Sequence, residues 1–214
     1  MRIAIVGADS RAWAKIPDGE LKAKTKIKEI IMAHYIDFDN FGKVEPELDP
    51  IIVSGHCPVG KELQYCVDCK LWEPLFKTNF DCDPIKHRFI EVYNQGGVDS
   101  WAEIIATELG LKKEIYPAKC TYHHCLSDGT YEGCKKYKWD TNHFWYYHFK
   151  PRNIQITEAG LKTMEPYVLY NIVVGMPDTY CYHHKEKGHL PSGGCWTENY
   201  AKKLKREVHK IIIE

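Results

Sequence analysis

Arg2-Ile3-Ala4-Ile5-Val6-Gly7-Ala8-Asp9-Ser10-Arg11 decides the fold. A β-branched run closed by glycine reads as a buried strand, and the polar turn after it hands the chain to a helix. Glu20 to His34 supplies that helix, with Leu21, Ile27, Ile30, Ile31 and His34 near helical spacing. Pro50 then introduces Ile51-Ile52-Val53, a second strand that stops at Ser54-Gly55. Val98 to Leu109 repeats the helical pattern through Trp101, Ile104, Ile105 and Leu109, with Gly110 as its stop. Glu114-Ile115-Tyr116 follows as a strand ended by Pro117. The alternation resumes with a helix from Arg152 to about Thr163 and a strand from Tyr167 to Val174. A helix from about Thr197 to Lys205 and a last strand, Val208 to Ile213, complete it. Strands alternating with helices predict an α/β fold: an open parallel sheet of about five strands, joined by right-handed crossovers and covered on both faces.

The 214 residues suit one domain spanning 1–214. Two segments, at about 56–95 and 119–151, break the periodicity and read as Cys/His-rich insertions. Hydrophobic residues at 44% and charged residues at 27% give a globular composition, and no apolar run is long enough to span a membrane. Lys plus Arg equals Asp plus Glu, 29 against 29, so no overall positive field draws the chain to nucleic acid or anionic lipid. The N-terminal stretch lacks the apolar core and cleavage site of a secretory signal, which leads to the expectation of a cytoplasmic protein. In that reducing setting nine cysteines point to metal ligation rather than to a disulfide framework, although any one of them also suits a buried apolar position.

Ligands of open α/β sheets bind beyond the carboxyl ends of the strands. Four turns expected there are rich in glycine or hydroxyl groups: Gly7 to Ser10 and Arg11, Ser54-Gly55, Gly96-Gly97 with Asp99, and Ser192-Gly193-Gly194 before Thr197. Glycine pairs let backbone N–H groups approach phosphate oxygens, and the helix N-terminus just beyond adds a positive dipole end. The same pairs also suit tight strand-to-helix turns with no ligand. A side chain at Gly194 is expected to fill the space that a phosphate needs, with a smaller effect on folding. Arg152 fits either bidentate pairing with an anion or a surface helix start, and Asn153 either a cap or a ligand contact. Asp99 reads first as a helix-capping carboxylate.

Cys66-Val67-Asp68-Cys69 with Cys82 and His87 has the spacing of a four-ligand zinc site. A second set is Cys120, His123, His124, Cys125 and Cys134, and a third is Cys181, His183, His184 and Cys195. Four protein ligands make a structural zinc, whereas three with a water make a catalytic one; the structural role is the expected one. The aromatic group from Trp139 to Tyr147 suits the core of an insertion, with base stacking as the alternative.

Taken in order, several pieces carry a resemblance: Ile5-Val6-Gly7 with Ser10-Arg11 and Trp13, Val53-Ser54-Gly55, and Gly97-Val98-Asp99-Ser100-Trp101-Ala102. They continue with Tyr116-Pro117-Ala118, Arg152-Asn153-Ile154-Gln155-Ile156, and Gly193-Gly194-Cys195-Trp196-Thr197. The chain resembles the SLOG superfamily, the Rossmann-like group that includes YspA- and YpsA-like proteins, DprA, molybdenum-cofactor carriers and LOG-type phosphoribohydrolases. The resemblance implies a three-layer Rossmann-like domain that binds a phosphorylated nucleotide or nucleotide-derived ligand. It also implies possible cleavage of an N-glycosidic bond, as in a phosphoribohydrolase or an NAD-derivative hydrolase, with Arg152 standing where those enzymes carry a functional arginine. The chain departs from the group by about forty residues between Ser54-Gly55 and Gly97. It departs again at Tyr200, where the hydrolases carry a glutamate, leaving Glu198 as the nearest carboxylate. The competing expectation is a zinc-stabilised nucleic-acid-binding or protein-interaction module. A homo-oligomer is expected in either case.

Overall fold

β1 (Arg2–Gly7) lies inside a six-stranded sheet of the computed structural model, which describes residues 1–39, 50–55, 61–66, 71–72, 89–94, 96–118 and 145–214. Ile3, Ala4, Ile5 and Val6 are all buried, as a parallel strand covered on both faces requires. β1 pairs in parallel with β2 (Ile51–Ser54) on one side and with β7 (Tyr167–Cys181) on the other. β6 (Lys113–Ile115) continues the sheet beyond β2, and β9 (Glu207–Ile213) beyond β7, both parallel. The parallel order is therefore β6-β2-β1-β7-β9, and the sense of advance reverses between β1 and β7.

Alternation along β1 sends its side chains to two different groups of flanking helices. Ile3 and Ile5 pack with Ala23, Ile27 and Ile31 of α2 (Gly19–Asp39) and with Trp101, Ala102 and Ala106 of α3 (Val98–Glu108). Ala4 and Val6 pack with Ile156 of α4 (Lys150–Glu158) and Ala201 of α5 (Gly193–Lys203). Each buried isoleucine or valine contributes about 1.5–3 kcal/mol, so the two faces of one short strand anchor both groups of helices. The helix ends follow from local chemistry. Asp9 caps the four-residue α1 (Ser10–Trp13) by accepting from the Ala12 N–H at 3.2 Å. Gly110 takes φ +70° after α3, and the bonds Gly110 N–H to Thr107 O and Leu111 N–H to Ala106 O close a Schellman motif.

Several elements differ from the sequence expectation, among them α2, which runs on to Asp39 beyond His34, and the strands Lys61–Cys66, Leu71–Trp72, Phe89–Asn94 and Glu186–His189, which it did not include. β7 continues to Cys181 instead of ending at Val174. Its outer half pairs antiparallel with β8 (Glu186–His189), and a register shift between Met176 and Tyr180 absorbs Pro177, which a regular ladder cannot hold. α4 stops at Glu158, short of Thr163, because Ala159 leaves helical geometry and Gly160 takes φ +66°. α5 starts at Gly193, not near Thr197, so both glycines lie in its first turn.

By contacts, Met1–Cys57 and Gly97–Glu214 form one unit and Pro58–Gly96 another. In the second, β3 (Lys61–Cys66) pairs antiparallel with β4 (Leu71–Trp72) and with β5 (Phe89–Asn94), bringing the Cys66 backbone opposite Leu71 and Phe89. No helix among the described residues is long and apolar enough to cross a membrane.

Candidate functional site

A cavity of about 600 Å³ opens at the carboxyl ends of β1 and β7, where the strand order reverses. Gly7, Ala8 and Asp9 reach it from β1, and Gly97, Val98 and Asp99 from the start of α3. A π-helical turn, Trp145–Phe149, contributes Trp145 and Phe149, and α4 contributes Arg152. Tyr182 and His183 come from the turn between β7 and β8, and Ser192, Gly193 and Trp196 from the start of α5. Trp145 meets Trp196 edge-on at 5.5 Å, making one aromatic wall.

The glycines divide into two kinds. A Cβ on Gly193 would meet only Asn153 Nδ2, at 3.9 Å, so this glycine faces open space at the N-terminus of an eleven-residue helix. A Cβ on Gly194 would strike Asn171 Oδ1 and come to 3.0 Å from the Gly7 backbone. Gly194 is therefore small so that α5 can settle on β1 and β7, which corrects the expectation that a side chain there blocks ligand rather than folding. Gly7 and Gly97 are likewise hemmed in, Gly7 by Val98 and the Ile172 carbonyl, Gly97 by Ala8 and Asp9. Gly96 holds φ +86°, a conformation that favours glycine.

Arg152 lines the cavity with its guanidinium largely engaged. Nε and Nη2 donate to Asn153 Oδ1 at 3.0 and 2.9 Å, Nη1 donates to the Gly55 carbonyl at 3.2 Å, and Asp99 Oδ2 lies 3.6 Å from Nη1. The Phe149 ring stacks beneath it, 4.8 Å from Cζ. Three of its five donors are thus spent on the protein, and Gly55 is small because Asp99, Ile156 and Arg152 crowd its Cα. Arg11 also lines the cavity, paired with Asp9. Ser10 instead borders a separate hollow beside α2. Ser54 is buried and donates to Glu103, and Thr197 is buried and donates to the Gly193 carbonyl at 2.9 Å; neither lines the cavity.

Glu198 faces away from the cavity. It is fully buried, accepts from Asn171 Nδ2 at 2.7 Å and from Lys202 Nζ at 2.6 Å, and lies 3.1 Å from His184 Nε2. Its neighbours are the four side chains of Cys181, His184, His189 and Cys195, whose ligating atoms all lie within 4.8 Å of one another and can hold a metal ion. The chain brings them together through the β7–β8 hairpin. Cys181 ends β7, His184 sits in the turn closed by the Lys185 N–H to the Cys181 carbonyl at 2.8 Å, and His189 ends β8. Cys195 is in the first turn of α5. Burial pushes both imidazoles below their ordinary value, opposed at His184 chiefly by Glu198, and reinforced at His189 by His184. Burial pushes the Cys195 thiol up, against the hydrogen bonds of Ser192.

Of the two expected histidine ligands in the turn, His184 joins the cluster, whereas His183 lines the cavity with Tyr182. His189 was outside the expected set; its signal is the run Cys181-x2-His184-x4-His189-x5-Cys195. Phe149, Tyr182 and Trp196 were likewise not assigned to the cavity from sequence, whereas Asp9 belongs to the first of the four expected turns and Trp145 to the aromatic group whose alternative role is base stacking. The expected ligands Cys69, Cys82, His87, Cys120, His123, Cys125 and Cys134 lie outside the described residues, as does the side chain of Cys66.

Fold and site together define a mixed α/β protein with a largely parallel sheet, a cavity at the strand ends and a buried Cys/His cluster beside it. Compared with protein-family models, with curated proteins and with solved structures, the chain matches none.

Proposed function

We propose that the chain is a three-layer Rossmann-like protein of the SLOG kind that binds a phosphorylated nucleotide or nucleotide-derived ligand in this cavity. The observation that carries the reading is Gly193: open space at a helix N-terminus, on a cavity where the parallel order reverses. A helix start of this kind offers N–H groups with no intrahelical acceptor and the positive end of the dipole, both suited to phosphate. Trp145 and Trp196 offer faces and edges for a base, and the volume is of the size that small-molecule sites have. Zinc in the Cys/His-rich parts, as a structural ion, and a reducing cytoplasmic setting belong to the same reading; Cys181 and Cys195 are free thiols.

The proposal stops at binding. Cleavage of an N-glycosidic bond needs an acid or base at the cavity, and the candidates there are Asp9, Asp99 and His183, not Glu198. Asp9 is paired with Arg11, and Asp99 lies beside Arg152.

Thermal melting with nucleoside monophosphates and with the matching nucleosides tests the reading. The phosphorylated ligand is expected to raise the melting temperature more than its nucleoside, and Gly193→Val to remove that difference while leaving the unliganded protein folded. Equal shifts from both ligands, or a Gly193→Val protein that still distinguishes them, defeat the phosphate site.

A further inference from the structure

We propose that Cys181, His184, His189 and Cys195 bind one zinc ion in a closed tetrahedral site that ties the β7–β8 hairpin to the first turn of α5. This deepens the zinc reading above and is independent of the nucleotide.

The donor set is two thiols and two imidazoles, the composition of structural zinc centres. A tetrahedron with bonds of about 2.0–2.3 Å has edges of roughly 3.3–3.8 Å. Cys181 Sγ lies 3.8 Å from His184 Nδ1, and His184 Nδ1 lies 2.9 Å from His189 Nε2. Small adjustments bring these atoms onto such edges. Cys181, His189 and Cys195 have no solvent exposure, which leaves no open position for a reacting water. Closed sites of this type are structural.

The outer nitrogens identify a ligand set rather than a chance meeting of core residues. His184 Nε2 and His189 Nδ1 are buried without a hydrogen bond, yet each looks toward a carboxylate: Glu198 Oε2 at 3.1 Å and Glu186 Oε1 at 3.8 Å. A metal on His184 Nδ1 and His189 Nε2 places the proton of each imidazole on its outer nitrogen, facing that carboxylate. This is the carboxylate–histidine–metal arrangement that orients metal-bound imidazoles. Charge also closes: two thiolates neutralise the zinc dication, and Lys202 answers Glu198 at 2.6 Å. Asn171 donates both to Glu198 at 2.7 Å and toward Cys195 Sγ at 3.8 Å, joining ligand and supporting carboxylate.

The ion also explains how the cavity wall is held. Tyr182 and His183 lie between ligands Cys181 and His184, and Ser192 and Gly193 lie just before ligand Cys195; all four line the cavity. A single bond set therefore fixes two chain segments, which the hydrogen bond from Asn199 Nδ2 to the His183 carbonyl at 2.6 Å also helps to join.

The test is metal content of the purified full chain by elemental analysis, read as a difference from the parent because other cysteines and histidines also occur in it. Cys181→Ser and His184→Ala are expected to lose one zinc per chain, and His183→Ala to lose none. His189→Cys is expected to keep the ion with three sulfur ligands, and on cobalt(II) substitution to strengthen the thiolate-to-cobalt charge-transfer band over the parent's. A parent without zinc, or Cys181→Ser with the parent's zinc content, overturns the proposal. If Cys181→Ser and His184→Ala do not fold, the cobalt spectra of parent and His189→Cys decide: identical spectra overturn the site. Neither readout involves nucleotide, so the site stands or falls apart from the cavity's ligand.

Discussion

Gly193 and Gly194 are adjacent and chemically identical, yet their surroundings give them different work. Gly194→Ala is expected to destabilise the protein by about 1–3 kcal/mol, the range for overpacking, because its Cβ meets Asn171 and the Gly7 backbone. Gly193→Ala, with only Asn153 Nδ2 at 3.9 Å, is expected to leave urea unfolding close to the parent's. A near-neutral Gly194→Ala would contradict the packing described for α5. Glu114 supplies a second residue-scale test. Burial pushes its carboxyl up, but hydrogen bonds from Tyr116 and Arg2 and the Arg2 charge outweigh it, so the net shift is below the ordinary 4.5. A carboxyl lowered in the folded state contributes stability above its unfolded value, and that contribution is lost as pH falls through the lower folded value. Glu114→Gln is therefore expected to be less stable than the parent at pH 7, with the gap closing as pH drops below 4.5. Unfolding curves at neutral and acid pH check it; a gap independent of pH would separate the effect from the Arg2–Glu114 pair.

At the scale of elements, the chain's punctuation matters more than its propensities. α5 ends in a Schellman motif, with Arg206 N–H to Ala201 O at 3.1 Å and Lys205 N–H to Lys202 O at 3.0 Å, but the residue in the left-handed position is Lys205, at φ 56°. A lysine there carries a steric cost that glycine does not. Lys205→Gly is expected to stabilise the protein by about 1 kcal/mol, the low end of the left-handed penalty, seen as a higher melting temperature. A lower one would mean that the lysine side chain contributes more than its backbone costs. β7 shows the opposite case. Gly175, Pro177 and Asp178 have the composition of a loop, and the strand continues through them because β8 returns along its edge and a register shift sets Pro177 outside the ladder.

For the molecule as a whole, the alternation of apolar runs and helical periods determined the mostly parallel sheet, since a strand such as Ile3-Ala4-Ile5-Val6, apolar on both faces, is stable only when helices cover it. The same reading located the turns that reach the strand ends and named Cys181, His183, His184 and Cys195 as candidate ligands, of which His183 lies outside the cluster. Tertiary structure decided the rest. Whether a glycine faces a cavity or another backbone depends on what packs against it, and that partner is distant in sequence: Gly7 lies against Gly194. Which of His183 and His184 enters the cluster depends on the twist of a four-residue turn, and His189 joins only because β8 pairs with β7. Local composition carries the period of an element and the identity of a donor. It does not carry the direction in which a side chain points once the chain has turned, and at this site that direction separates the cavity from the Cys/His cluster.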